Sequence, residues 1–148
     1  MNNQLLTMKM YAPPLRSGLV HRLRLLEKMN MGLQHGKRLT LITAPAGYGK
    51  TTLTLEWLAS LDQPYGWLSL DRADNHRFQF LTYLIAALGQ VDEKVEQALE
   101  PMIQGHIEQD EATRVHYLLM AMVNEIAKVQ TSFILVLDDY HTITDLTA

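Results

Sequence analysis

The sequence predicts an α/β protein with a parallel β-sheet flanked by helices. Three observations carry this. Short apolar runs at 39–43, 66–70 and 133–137 alternate with longer segments whose apolar residues recur at helical spacing. The last run, "FILVL", is unbroken, as suits a parallel strand covered on both faces. A glycine-bearing stretch, "APAGYGKTT", stands between the first run and a helical pattern.

Residues 1–18 are weakly patterned, and Pro13-Pro14 and Ser17-Gly18 predict an N-terminal arm ahead of a domain at 19–148. From Val20 the pattern is helical. Leu25, Leu26, Met29 and Leu33 share a face, and Gly36 is the expected stop. Residues 39–43 are β-rich and predict the first strand. A helix over 50–61 places Leu53, Trp57, Leu58 and Leu61 together, and Asp62-Gln63-Pro64 ends it. Residues 66–70 predict a second strand. Asp74 and Asn75 offer N-caps to a helix through Phe78, Leu81, Leu84, Ile85 and Leu88. Residues 89–111 are polar, with a short helix expected from Val95 to Leu99 and closed by Pro101. Val115, Leu118, Leu119, Met122, Ile126 and Val129 form an amphipathic helix. The final strand, 133–137, ends in Asp138-Asp139.

A chain of 148 residues suits one domain with a real core. A net charge of −3 advertises neither nucleic acid nor an anionic membrane as a partner. Cysteine is absent, which excludes disulfides, thiolate metal sites and a cysteine nucleophile. No run reaches the roughly 18 apolar residues of a membrane span, so a soluble cytoplasmic protein is expected. His21, His35, His76, His106, His116 and His141 lack zinc-ligand spacing, and Trp57 and Trp67 read as core aromatics.

The glycine-bearing stretch fits the phosphate-loop pattern G-x-x-x-x-G-K-[ST], with Ala44 at the first glycine position. A chance match to the relaxed pattern in a chain this long is on the order of one in a hundred. Gly47 and Gly49 let backbone N–H groups turn around anionic oxygens, and a helix opening at Lys50 aims its positive end at the same point. The loop residues Ala44, Pro45, Ala46, Gly47, Tyr48 and Gly49 form the expected cradle. Lys50 reaches the β- and γ-phosphates, Thr51 holds Mg²⁺, and Thr52 contacts the α-phosphate. A phosphate loop of this kind also wants a carboxylate at the end of another buried strand. Asp138 is the expected metal ligand, and Asp139 the residue polarising an attacking water. The site is thus expected to bind Mg²⁺ with ATP or ADP, with Lys50 and Asp139 in the catalytic roles. No N-K-x-D motif favours GTP.

Three ordered stretches, "APAGYGKTT", "WLSLD..DN..RF..YLIAAL" and "LVLDDYH", resemble the nucleotide-binding region of the large LuxR-type transcriptional activators. These are the MalT-like group of STAND signalling ATPases. "PPLRSGLVHRLRLLEKM" is similar to the family's lead-in, so the resemblance runs from Ala12 to Ile143. It implies an ATP/ADP switch with slow hydrolysis. Full-length relatives self-associate and bind promoter DNA through a C-terminal helix-turn-helix domain that is not in this sequence, so no direct DNA binding is expected of this piece. Val20 and Arg22 match the lead-in, which in related ATPases lies near the adenine. Leu23 stands where the family often has proline. The resemblance further implies the first part of an ASCE-type P-loop domain, without the later sensor strand and lids. Two other readings stay open: a non-catalytic interaction or decoy piece, and another P-loop enzyme such as a small-molecule kinase.

Overall fold

The computed structural model describes residues 7–105 and 110–144. His106 and positions 1–6 of the N-terminal segment lie outside the described residues. The elements run α1 (Leu23–Gln34), α2 (Lys50–Ala59), β1 (Tyr65–Ser69), α3 (Arg77–Gly89), α4 (Glu93–Gln104), α5 (Glu111–Lys128) and β2 (Ile134–Asp138). Single 3-10 turns occupy Thr7–Met10, Arg72–Asn75 and Tyr140–Thr142. The chain divides into two compact units: Met1–Ala12 with Gln63–Ala148, and Pro13–Asp62.

In the first unit β1 and β2 pair in parallel, Tyr65 opposite Ile134 and Ser69 opposite Asp138. The fold is therefore α/β, as expected. Trp67 and Leu68 are fully buried in β1. On α3, Leu81, Ile85 and Leu88 pack with Val95 and Leu99 of α4 and with Leu118 and Met122 of α5. Tyr83 and Ala87 on the same helix pack with Leu68 and Leu70. Two buried faces explain why α3 is apolar nearly all round. Each fully buried leucine or isoleucine contributes about 1.5–3 kcal/mol. Gly66 is required by close approach, because a Cβ there would land on the backbone carbonyl of Ala87.

Capping departs from the expected pattern. Asp71, not Asp74 or Asn75, is the N-cap, and it caps the 3-10 turn ahead of α3 by accepting from the Ala73 N–H at 2.8 Å. Asp74 completes a capping box by accepting from the Asp71 N–H at 2.8 Å. Asp74 is buried and meets the Lys9 ammonium at 2.5 Å, while Asp71 lies 3.1 Å from it. The same ammonium stands 4.4 Å from the Tyr83 ring centre. Burial pulls the Lys9 pKa down, but the hydrogen bonds to Asp74 and Asp71 outweigh it and hold it above the ordinary lysine value. The Lys9 hydrogen bond holds the Asp71 carboxyl below its ordinary range.

Pro101 does not close α4 but lies inside it. It removes one donor, and the helix resumes, with the Gly105 N–H reaching the Pro101 carbonyl at 3.0 Å. Asp110 caps α5, accepting from the Thr113 N–H at 2.9 Å and its hydroxyl at 2.7 Å.

In the second unit Gly36 follows the C-cap of α1, and its φ of 70° is the left-handed conformation common just past a helix end. Met29 of α1 and Leu53, Trp57 and Leu58 of α2 are buried. The Trp57 indole donates to the Asn30 side chain at 2.7 Å. Both tryptophans are thus core residues, as expected. The expected strand at 39–43 does not form. Among the described residues the sheet holds β1 and β2 alone. A strand exists only as part of a hydrogen-bonded ladder, and the run at 39–43 has the composition without the ladder. Leu39 and Leu41 are accordingly 83% and 74% exposed.

Candidate functional site

The second unit carries the glycine-bearing loop. Gly47 and Gly49 have φ of 81° and 75°, the left-handed region that a Cβ disfavours. A Cβ on Gly47 would meet nothing within 4 Å, so its face of the loop is open. Gly49 is the N-cap of α2, and its carbonyl accepts the helical hydrogen bond from the Leu53 N–H at 2.9 Å. No side chain caps this end, and the positive end of a helix favours an anion. Lys50 folds back across the loop, its Nζ donating to the Ala44 carbonyl at 2.8 Å and the Pro45 carbonyl at 3.2 Å. The Tyr48 N–H bonds the Pro45 carbonyl at 3.4 Å and tightens the turn. Thr51 and Thr52 follow in the first turn of α2.

The lead-in is pinned to this loop and its helix. Arg22 donates from Nη1 to the Tyr48 carbonyl at 2.7 Å. Its Nη2 would lie 3.3 Å from a Cβ on Gly49, so the guanidinium covers that glycine. His21 Nδ1 pairs with Glu56 of α2. Val20, the other lead-in residue, is 86% exposed.

The acidic pair belongs to the first unit. Asp138 is the last residue of β2, and its carbonyl accepts from the Leu70 N–H at 3.0 Å. Its carboxylate accepts from the Asp139 N–H at 3.0 Å. Asp139 has a φ of 56°, a left-handed conformation that aspartate adopts more readily than most residues. This turns the chain sharply off the strand, and the Asp139 carbonyl then accepts from the Thr142 N–H and hydroxyl, both at 2.9 Å. Asn75 ties the segment to the turn after β1: its amide donates to the Thr142 carbonyl at 3.0 Å and its oxygen accepts from the Thr144 N–H at 2.8 Å. Asp71, Asp138 and Asp139 thus lie at the carboxyl ends of parallel strands, where open α/β sheets bind ligands.

Of the expected site residues, the structure gathers Arg22, Ala44, Pro45, Tyr48, Gly49 and Lys50 around one loop. It sets Asp138 and Asp139 together at the end of β2. Sequence reasoning missed the Asn75 bridge and the contact of Arg22 with the loop. The glycine-rich spacing pointed to the loop but not to which neighbour would cover it.

A glycine-bearing loop that opens a helix, and a parallel two-stranded sheet flanked by helices, fit a P-loop nucleotide-binding fold. A family model described as "AAA ATPase domain" matches residues 13–148, and the chain belongs to that family. It is also 40% identical over 126 residues to the HTH-type transcriptional regulator MalT from each of two strains of Klebsiella pneumoniae. The match covers 85% of this chain and 13% of those relatives. Among the described residues no helix is long and apolar enough to cross a membrane.

Proposed function

We propose that this chain is the ATP- or ADP-binding module of a LuxR-type, MalT-like transcriptional regulator, in which bound nucleotide sets a slow switch. One observation carries the reading. The loop at 44–52 holds two left-handed glycines, an uncapped helix end and Lys50 arched across it. That is a preorganised binding site for a chain of phosphates. The donor set fits a magnesium nucleotide: hydroxyls and carboxylates are the hard oxygen ligands this ion takes.

In this reading Thr51 and Asp138 hold the magnesium, which neutralises charge on the phosphates when bound. Lys50 exchanges its carbonyl partners for phosphate oxygens. Thr52 supports the α-phosphate. Asp139 accepts a hydrogen bond from the attacking water and orients it, and Val20 borders the base. In full-length relatives self-association and promoter binding would follow from the nucleotide state. DNA recognition is assigned to other parts of such a regulator, in keeping with the acidic balance of this chain.

Calorimetric titration of the purified chain with ADP and ATP, with and without Mg²⁺, tests this. Wild type should bind both, and magnesium should tighten ATP. Asp138→Asn should abolish most of that magnesium-dependent gain while leaving metal-free affinity within about twofold, because only a metal ligand is lost. Absence of nucleotide binding by the folded wild type would refute the reading. An unchanged magnesium gain in the variant would refute the role of Asp138.

A further inference from the structure

We propose that Arg22 is a second cation of the phosphate site, acting on the phosphates and not on the base. The inference rests on the nucleotide reading above and deepens it. A loop that cradles phosphate must turn N–H groups inward and keep carbonyl oxygens away from the anion. The Tyr48 carbonyl lies just ahead of Gly49 and Lys50, and Arg22 takes it at 2.7 Å. That bond covers the negative end of the peptide with a positive charge. The guanidinium also lies against the Cα of Gly49, where a side chain would crowd it at 3.3 Å. Gly49 is therefore needed twice, for its left-handed φ and for the space Arg22 occupies.

The charge of Arg22 is otherwise unspent. Among the described residues no carboxylate forms an ion pair with it. A guanidinium has five N–H donors in a planar fork that suits phosphate oxygens, and the Tyr48 carbonyl engages one nitrogen of that fork. Arg22 and Lys50 thus bind carbonyls of the same loop, at Tyr48 and at Ala44 and Pro45. Two cations therefore serve the one loop on which the proposed polyanion would lie. The resemblance placed the lead-in near the adenine. The contacts of this side chain instead favour the phosphate loop.

Arg22→Gln removes the charge and leaves an amide donor on a shorter side chain, so the salt dependence of the loss is what separates charge from scaffolding. Arg22→Lys keeps the charge. ATP and inorganic tripolyphosphate are titrated into wild type and both variants with Mg²⁺, at low and high KCl, after thermal melts confirm folding. Arg22→Gln should weaken ATP and tripolyphosphate by the same factor, about tenfold, the loss of one charge-assisted hydrogen bond. That factor should shrink at high salt, since exposed charges are screened, whereas loss of a structural support would be insensitive to salt. Arg22→Lys should lose less, and again equally for both probes. It carries the test alone if the glutamine variant does not fold. Weakening confined to ATP would assign Arg22 to the base and overturn the proposal, while leaving the loop as a phosphate site. Unchanged affinity for both probes, or a salt-independent loss, would also overturn it. Failure of wild type to bind either probe would instead refute the underlying nucleotide reading, and the proposal with it.

Discussion

Lys50→Ala isolates the proposed phosphate-binding role of the lysine from its role in bracing the loop. The side chain spans the loop through hydrogen bonds of 2.8 and 3.2 Å to the Ala44 and Pro45 carbonyls, on exposed surface. Losing them should cost about 1 kcal/mol of stability, on the order of 4 °C in Tm. Losing the charge-assisted hydrogen bonds to phosphate costs more. At about 1.5–3 kcal/mol, Kd rises roughly tenfold to a hundredfold. At a Mg-ADP concentration 100 times the wild-type Kd, the native state gains about 2.7 kcal/mol. With Kd raised a hundredfold, the same ADP adds about 0.4 kcal/mol. A nucleotide-dependent shift on the order of 8 °C should then collapse to one or two degrees. Differential scanning calorimetry of both proteins, with and without Mg-ADP at that fixed concentration, reads both effects. If the variant keeps the full ADP-dependent shift, Lys50 does not carry the phosphate contact.

Gly66→Ala should destabilise the chain by about 1–3 kcal/mol or more, because the new methyl meets the backbone carbonyl of Ala87 and α3 must move; urea unfolding checks it, and an unchanged midpoint would show that β1 and α3 are not so closely apposed. Lys9→Met should cost about 3 kcal/mol, since it leaves the fully buried carboxylate of Asp74 without its cation. The Lys9 pKa is raised on folding, so its contribution is complete below the ordinary lysine value and fades as pH rises through the folded pKa. Asp71, depressed by Lys9, contributes above the ordinary carboxylate value and loses that as pH falls through its folded pKa. The gap between wild type and Lys9→Met in urea should therefore be widest at neutral pH and narrow at both extremes; a gap independent of pH would refute the electrostatic account.

The helices and the glycine-bearing turn ahead of α2 were legible because their causes are local. Helical periodicity, Gly36 past the end of α1, and glycines ahead of Lys50 act within a few residues. Leu81, Ile85 and Leu88 announced a buried face in the same way, and the two strands were found to within a residue at each end, although β2, expected to be covered on both faces, is half-buried throughout. What stayed hidden depends on distant partners. Nothing around Lys9 in a weakly patterned segment points to Asp74, which meets it across 65 residues. The run at 39–43 has the composition of a strand, but composition cannot supply a neighbouring ladder. Pro101 misled for the opposite reason. A proline removes one hydrogen bond, and the packing of Val95 and Leu99 in the core sustains the helix around it.

The two halves of the proposed chemistry therefore rest on different supports. Gly47, Gly49, Lys50 and Arg22 shape the loop through contacts inside Pro13–Asp62. Asp138 is aimed by β2, which exists only through its pairing with β1, and β1 is held against α3 where Gly66 admits the Ala87 carbonyl. A disturbance at Gly66 reaches Asp138 through that register, whereas Lys50 and Arg22 bond carbonyls of the same loop. On the proposed assignment, phosphate affinity and magnesium dependence are then separable. Gly66→Ala that remains folded should lose the magnesium-dependent gain for ATP before it loses metal-free affinity for ADP, and Lys50→Ala should lose both together. Equal loss of both in Gly66→Ala would mean that the phosphate loop depends on the sheet as closely as the acidic pair does.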